Sequence, residues 1–501
     1  MTPPIAAETA AGFELIDATI ADIHAAYAGG TLTCRALVEA YLDRIERLDR
    51  AGPEINSIIS INPKALEQAD TLDAAWAESG PVGPLHGIPL AFKDQGDVKE
   101  MPTTMGSVLF EGHMPERDCF VAAKLRDAGA IFIAKTTLGE MGAGDTHGSL
   151  FGSTRNVYDQ TRTAGGSSGG SGAAASANFC AAAIGQEGFA SIRRPSIWNG
   201  IVGMRPTAGL VSRGGVYAGW PSTNGSLGPM TRTVEDAAKL LNTMAGYDVN
   251  DPITGRGVGK TPDSYAALLE EDGLKGKRIG ILRTVMGYTS DPDSDDFKAV
   301  DTLFNAAVAD LANAGAEIID HVEIPGLLDL MALRAADGEA EEASFSAYMS
   351  GSANAPFKTM DDARNDPRFE ATCHGVKTRW AVDKNPEKFN AYCAAREELM
   401  TRFLKMMADN HLNAVVHKAV EHTPTPIADG IAPPWTDQKG APHLNTTLIF
   451  VPSVVVPAGY TDAGLPAGIT FLGRPYSDAD MLCMAHGYEC ATKHRRVPEL
   501  G

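Results

Sequence analysis

The sequence predicts one large α/β domain. Segments of helical and strand periodicity alternate along the whole chain, and no linker-like shift of composition or internal repeat interrupts them. Composition agrees. Of 501 residues, 44% are apolar and 21% charged, ordinary globular usage with enough apolar residues for a large core, and 52 glycines suit tight turns between alternating elements.

The elements are expected in this order. Two helices fall within 14–49: Leu15, Ile16, Ile20 and Ile23 recur at helical spacing, and Gly29-Gly30 break the run. Thr31-Leu32-Thr33 restarts it, with Leu37, Val38, Tyr41, Leu42 and Ile45 on one face. A helix over 63–78 precedes a short apolar strand within Gly87–Asp94. Helix 118–129 runs through Gly129 into strand 130–134, one helix-then-strand unit of an α/β sheet. The Gly/Ser stretch 165–172 opens into an Ala-rich helix over 172–183, and helix 235–246 follows. Strand 278–282, helix 297–314, strand 317–320, strands near 413–417 and 448–456, and helix 478–493 complete the pattern. Within this single domain, 1–80 supplies N-terminal helices and 81–250 the core. The segment 324–445 reads as least regular, with Pro-rich 423–434 as a long loop of the kind enzymes use for function.

Charge narrows the partners. Lys and Arg number 43 against 63 Asp and Glu, a formal charge of -20, and such a surface repels phosphate backbones and anionic lipid. Neither nucleic acid nor a membrane is expected as a partner. The seven cysteines are scattered without a CxxC pair, which supports neither a disulfide framework nor a structural zinc site. The N-terminal segment carries acids rather than a basic region followed by an apolar run, and no stretch reaches the length of a membrane span. A cytoplasmic location is the expectation.

Three stretches carry chemistry. The first is Gly165-Gly166-Ser167-Ser168-Gly169-Gly170-Ser171-Gly172. An isolated Gly/Ser run is as often a flexible linker, but this one feeds a helix inside a continuous fold, where glycine lets backbone N–H groups approach a ligand. The Lys-Ser/Thr ending of a phosphate loop is missing, and no strand leads into the glycines as a dinucleotide fingerprint requires. The second is Gly188-Phe189-Ala190-Ser191-Ile192-Arg193-Arg194-Pro195, a constrained turn in which Ser191 alone would pass for an ordinary loop serine. No histidine sits in either stretch to activate a serine; His86 and His147 lie upstream in no triad-like pattern. The third is Lys93, ending the apolar run Ile88-Pro89-Leu90-Ala91-Phe92. Apolar neighbours would desolvate it and lower its pKa toward that of a base, although a lone lysine at a strand end more often snorkels to solvent.

Taken together and in this order, these stretches resemble the amidase signature family of serine hydrolases. Further blocks carry the likeness across nearly the whole chain, among them 32–44, 101–107, Arg205-Pro206-Thr207-Ala208-Gly209, 228–238 and Gly464-Leu465-Pro466-Ala467-Gly468, with 324–445 the weakest. The resemblance implies a central twisted mixed β-sheet flanked by helices and a Ser–Ser–Lys triad that uses no metal and no cofactor. Ser191 is then the nucleophile, Ser167 the middle serine after a cis peptide bond, and Lys93 the terminal base. Ser167 is preferred over Ser168 because its interval to Ser191 matches the family's. Backbone N–H groups of Gly188, Phe189, Ala190 and Ser191 are expected to hold the oxyanion, with Gly165, Gly166, Ser168, Glu187 and Arg193 as the supporting loops.

The chain departs from the family's Asp-x-Gly-Gly-Ser-Ile-Arg pattern. Glu187 keeps the acid and is expected to pair with an arginine, whereas Phe189 replaces a small residue. A bulky side chain copies a positive-φ glycine poorly, so the expectation is that packing accommodates Phe189 and leaves the donors in place. The implied activity is cleavage of small organic amides, extending to anilides and aryl carbamates, by a monomer or homodimer. Trp220, Trp380, Trp435 and Met-containing segments near 330–350 are candidates for an apolar pocket. The alternative is the glutaminase component of a tRNA-dependent amidotransferase; the altered run 187–190 and the atypical stretch 145–155 weigh against it.

Overall fold

The computed structural model describes residues 9–10, 12–217, 225–287, 290–433, 435–436 and 440–500. Its centre is an eleven-stranded sheet. In chain order the strands are β1 Ile58–Ile61, β2 Pro89–Lys93, β3 Ile131–Thr136, β4 Ala182–Glu187, β5 Val202–Arg205 and β6 Ser226–Thr231, then β7 Arg278–Ile281, β8 Glu317–Asp320, β9 Ala414–Lys418, β10 Ser453–Tyr460 and β11 Pro466–Leu472. Across the sheet they run β8-β7-β9-β11-β10-β5-β6-β4-β2-β3-β1. β2 is parallel to both β3 and β4, and β7 to both β8 and β9; the other neighbours are antiparallel. The sheet is therefore mixed, with helices packed against it, as expected.

Helices begin where the side-chain caps permit. Thr19 and Asp22 form a capping box, so the first helix starts at Ile20 rather than near residue 14, and Phe13–Glu14 instead pairs with Thr9–Ala10. The Ala-rich helix expected over 172–183 spans only Gly169–Ser176. Asn178 turns the chain at φ 57°, and the alanines beyond it form β4. Local propensity favours a helix there, but this strand lies in the sheet interior, where small side chains are needed: a Cβ on Gly185 would sit 2.6 Å from Met230 Sδ. Close approach also accounts for glycine inside the helix, since a Cβ on Gly170 would lie 2.5 Å from the Thr137 carbonyl oxygen.

The segment 324–445 is more regular than its sequence suggests. It contains the helices Gly338–Met349 and His374–Trp380 and the 24-residue helix Pro386–Asp409, started by Asn385 and Pro386. Even the expected loop 423–434 carries a helical turn, Ile427–Ile431. β5, β6 and β11 were also unanticipated. Each is buried throughout, so neither strand face alternates toward solvent and the period-2 signal is lost.

Candidate active site

β2 and β4 run side by side in parallel, with Phe92 opposite Ile184, so their C-terminal ends bring Lys93 and Glu187 together at one end of the strands. Between them sits the turn before the Gly169–Ser176 helix, which carries Ser167. Lys93 Nζ lies 2.7 Å from Ser167 Oγ and 3.2 Å from the Gln186 carbonyl oxygen. Ser167 Oγ in turn lies 3.0 Å from Ser191 Oγ. Lys93 and Ser167 are buried, whereas Ser191 is half-buried and faces a cavity of about 410 Å³.

Electrostatics separates the two buried lysines nearby. Lys135 on β3 is matched by Asp94 at 2.9 Å. Lys93 has only the more distant field of Glu187 in its favour, and burial holds its ammonium well below the usual lysine range. Its neutral form can accept a proton from the serine beside it.

The loops around the serines are braced from several sides. The Gly166–Ser167 peptide is cis, and Gly165 has φ 79° with Pro195 and Trp198 packed against the space a side chain would need. Ser168 Oγ donates to the Gln186 carbonyl at 3.1 Å, and its N–H donates to the Ser191 carbonyl at 3.1 Å. Glu187 pairs with Arg193, as anticipated: Oε1 accepts from Arg193 Nε at 2.7 Å, and Oε2 accepts the backbone N–H groups of Ile192 and Arg193 at 2.9 and 3.0 Å. Arg205 Nε lies 3.9 Å from the same carboxylate.

Residues 188–191 line the cavity. The Phe189 carbonyl accepts from Arg193 at 2.6 Å and the Ala190 carbonyl from the Arg194 N–H at 2.9 Å. In a trans peptide each such carbonyl turns the following N–H, here those of Ala190 and Ser191, the opposite way. Phe189 is not among the described non-glycine residues with positive φ. Its ring meets His443 edge-on at 4.9 Å, and the Arg334 guanidinium covers its face at 3.4 Å. The backbone here is thus ordinary, and an aromatic side chain fits without strain.

Of the tryptophans, Trp435 lines the cavity, Trp380 is buried among Phe345 and Phe369, and Trp220 lies outside the described residues. Met331 and Met349 pack into hydrophobic clusters rather than the cavity. His147 borders an adjoining cavity, and the His86 ring packs tilted against Trp76, centroids 5.1 Å apart. Arg334, His374, Arg379 and His443 complete the wall and carried no signal in the sequence. His374 and Arg379 share the helix His374–Trp380, while Arg334 and His443 stand in loops elsewhere, with no motif to join them.

The strand ends thus hold a lysine–serine–serine chain of contacts beneath a cavity. The family model of the amidases matches residues 36–482, and the chain belongs to that family of enzymes acting on amide C–N bonds. It is 31% identical over 485 residues to the A-subunit of the glutamyl-tRNA(Gln) amidotransferase from Acaryochloris marina, covering 93% of this chain and 97% of that protein. The peptide amidase of Stenotrophomonas maltophilia superposes with TM-score 0.85 at 32% identity, over 97% and 99% of the two chains. An amidase family protein of Bacillus anthracis superposes with TM-score 0.82 at 27% identity, over 97% and 93%. Among the described residues, no helix is long and apolar enough to cross a membrane.

Proposed function

We propose that the chain is a serine amidase of small organic amides, with Ser191 as nucleophile, Ser167 as proton relay and Lys93 as base. The observation that carries the reading is the Lys93–Ser167–Ser191 contact chain opening onto the cavity. Ser191 Oγ attacks the amide carbonyl as its proton passes to Ser167 and that of Ser167 to neutral Lys93. Backbone N–H groups within 188–191 receive the developing oxyanion. The relay then reverses: the C–N bond breaks, the amine leaves with the proton, and the acyl group stays on Ser191. Water adds its oxygen to that ester, the acid departs, and Ser191 regains its proton. The same nucleophile opens comparable esters and carbamates.

The test is turnover of a panel of glutamine, aliphatic amides, anilides, aryl carbamates and matching esters, by the wild-type chain and Ser191→Ala, with a chelator throughout. Turnover that survives chelation and disappears in the variant supports the reading; turnover retained by Ser191→Ala refutes it. Likeness to the amidotransferase relatives favours a second reading, a glutaminase working with partner proteins. Glutamine as the only substrate cleaved would select it.

A further inference from the structure

Two cavities meet at this site. The one facing Ser191 shares Ala143, Gly144, His374, Gly375 and Trp435 with a second, of about 290 Å³. His374 and Trp435 stack face to face, ring centroids 4.2 Å apart and planes within 6°, and this pair forms part of the wall common to both. The second cavity therefore adjoins the first along this wall, as a side lobe.

Its position relative to the relay is fixed by the 143–149 wall. That wall packs on the loop carrying Ser167: Thr146 N–H donates to the Gly165 carbonyl at 2.9 Å, and Gly169 N–H donates to Thr146 Oγ1 at 2.9 Å. A Cβ on Gly166 would lie 2.5 Å from the Gly144 carbonyl oxygen. The Phe189, Arg334 and His443 wall belongs to the Ser191-facing cavity alone. In the proposed mechanism Ser167 returns the proton to the departing nitrogen, so the lobe on the Ser167 side faces the amine half of the substrate.

The chemistry of the lobe selects what that half is. The hydroxyls of Thr146, Ser149, Ser153 and Thr163 along it are engaged within the protein, with the Gly165 carbonyl, Glu140, His147 and the Gly165 N–H, while Ile427 and Trp435 supply apolar surface. Asp145 is the only acid or Lys/Arg base among the described lining residues, and Arg194 pairs with it at 2.5 Å. The wall is preorganised: buried Glu140 accepts from Ser149 Oγ at 2.6 Å and from the Cys373 N–H at 2.7 Å. A cavity of about 150 Å³ already holds benzene; released ammonia would leave this larger space unused.

We infer that the lobe is a leaving-group subsite for an uncharged amine of aryl size, so that the preferred substrates are secondary amides rather than primary ones. This rests on the reading of Ser191 and Ser167 given above. Gly430 borders the lobe, and a Cβ added there meets nothing within 4 Å, so Gly430→Phe sets a ring at the rim of the lobe without a clash at Cβ. Ile427→Ala widens the lobe.

The experiment measures kcat and KM of the full chain and both variants for the primary amide, anilide and 2-naphthylamide of one acyl group. A fluorophosphonate probe reports whether Ser191 is reactive in each protein. The wild type is expected to favour the anilide over the primary amide. Gly430→Phe should lower the anilide-to-primary-amide ratio of kcat/KM by about tenfold or more, through KM, and Ile427→Ala should raise the naphthylamide-to-anilide ratio. Ser191 labelling with both ratios unmoved overturns the subsite and leaves the nucleophile standing. Absence of labelling in the wild type overturns the nucleophile instead. Should Gly430→Phe fail to fold, Ile427→Ala decides alone, and an unmoved ratio there overturns the subsite.

Discussion

Replacing Glu187 with glutamine tests whether one buried carboxylate holds the Ser191 turn. In the native protein it accepts Arg193 Nε at 2.7 Å and two backbone N–H groups at 2.9 and 3.0 Å, with Arg205 Nε at 3.9 Å. All of these side chains are fully buried. Glutamine keeps one oxygen and brings an NH2 group that must face either Arg193 or the two amide N–H groups, donor against donor. Burial already lowers Arg205 to about 10 even with Glu187 present, and the variant removes that support. Breaking a buried ion pair from one side costs about 3–5 kcal/mol, and a lost hydrogen bond to a charged group about 1.5–3 kcal/mol. These overlap, so the expected loss is about 3–5 kcal/mol. It would be read as a lower urea midpoint at unchanged slope. Because Ile192 and Arg193 follow Ser191 directly, kcat/KM should also fall, by about 100-fold for a displacement near 1 Å. A stability change below about 1 kcal/mol with full activity would refute this account of the turn.

Three further outcomes are expected. Phe189→Gly should lower activity, since it removes the ring that packs against His443 and Arg334 and frees the donor loop; a large rise in kcat would show that Phe189 obstructs the oxyanion site. The acid limb of kcat/KM against pH should lie well below the usual lysine range, because the base acts neutral and burial depresses its pKa; a limb near the ordinary lysine value would remove Lys93 from that role. Lys93→Met should abolish turnover yet raise stability at neutral pH. With the folded pKa depressed, the stability linked to Lys93 is complete only above the unfolded lysine value and is lost as pH falls toward the folded one. Urea titrations at several pH values should therefore show a shallower rise of stability with pH in the variant, and parallel curves would contradict it.

Lys93, Ser167 and Ser191 were legible because each sits in a short run whose residue types are unusual together, and the structure brings the three runs together at one end of the strands. Glu187–Arg193 was legible for the same reason, as both partners fall within seven residues. The alternation of helices and strands gave the fold class. What sequence hid has physical causes. The alanines of β4 carry a helical propensity that the crowded sheet interior overrides, and Val202–Arg205 is buried on both faces and so shows no alternation. The cavity wall was hidden because Arg334, His374 and His443 reach Ser191 from more than 140 positions away, through contacts no local pattern encodes.

That separation along the chain has a practical side. The proposed proton relay is drawn from 93–191 and rests on adjacent parallel strands, whose spacing is set by backbone hydrogen bonding at about 4.8 Å. Much of the wall around the cavity is drawn from 334–443 and stands on helices and loops outside those strands. Part of the selectivity is thus encoded apart from the reacting atoms, in a separate stretch of the gene. Exchanging or randomising 334–443 should redirect which amides are opened while the reacting atoms keep their spacing. A library confined to that stretch would be expected to yield far more active members than one of equal size spread over 87–198.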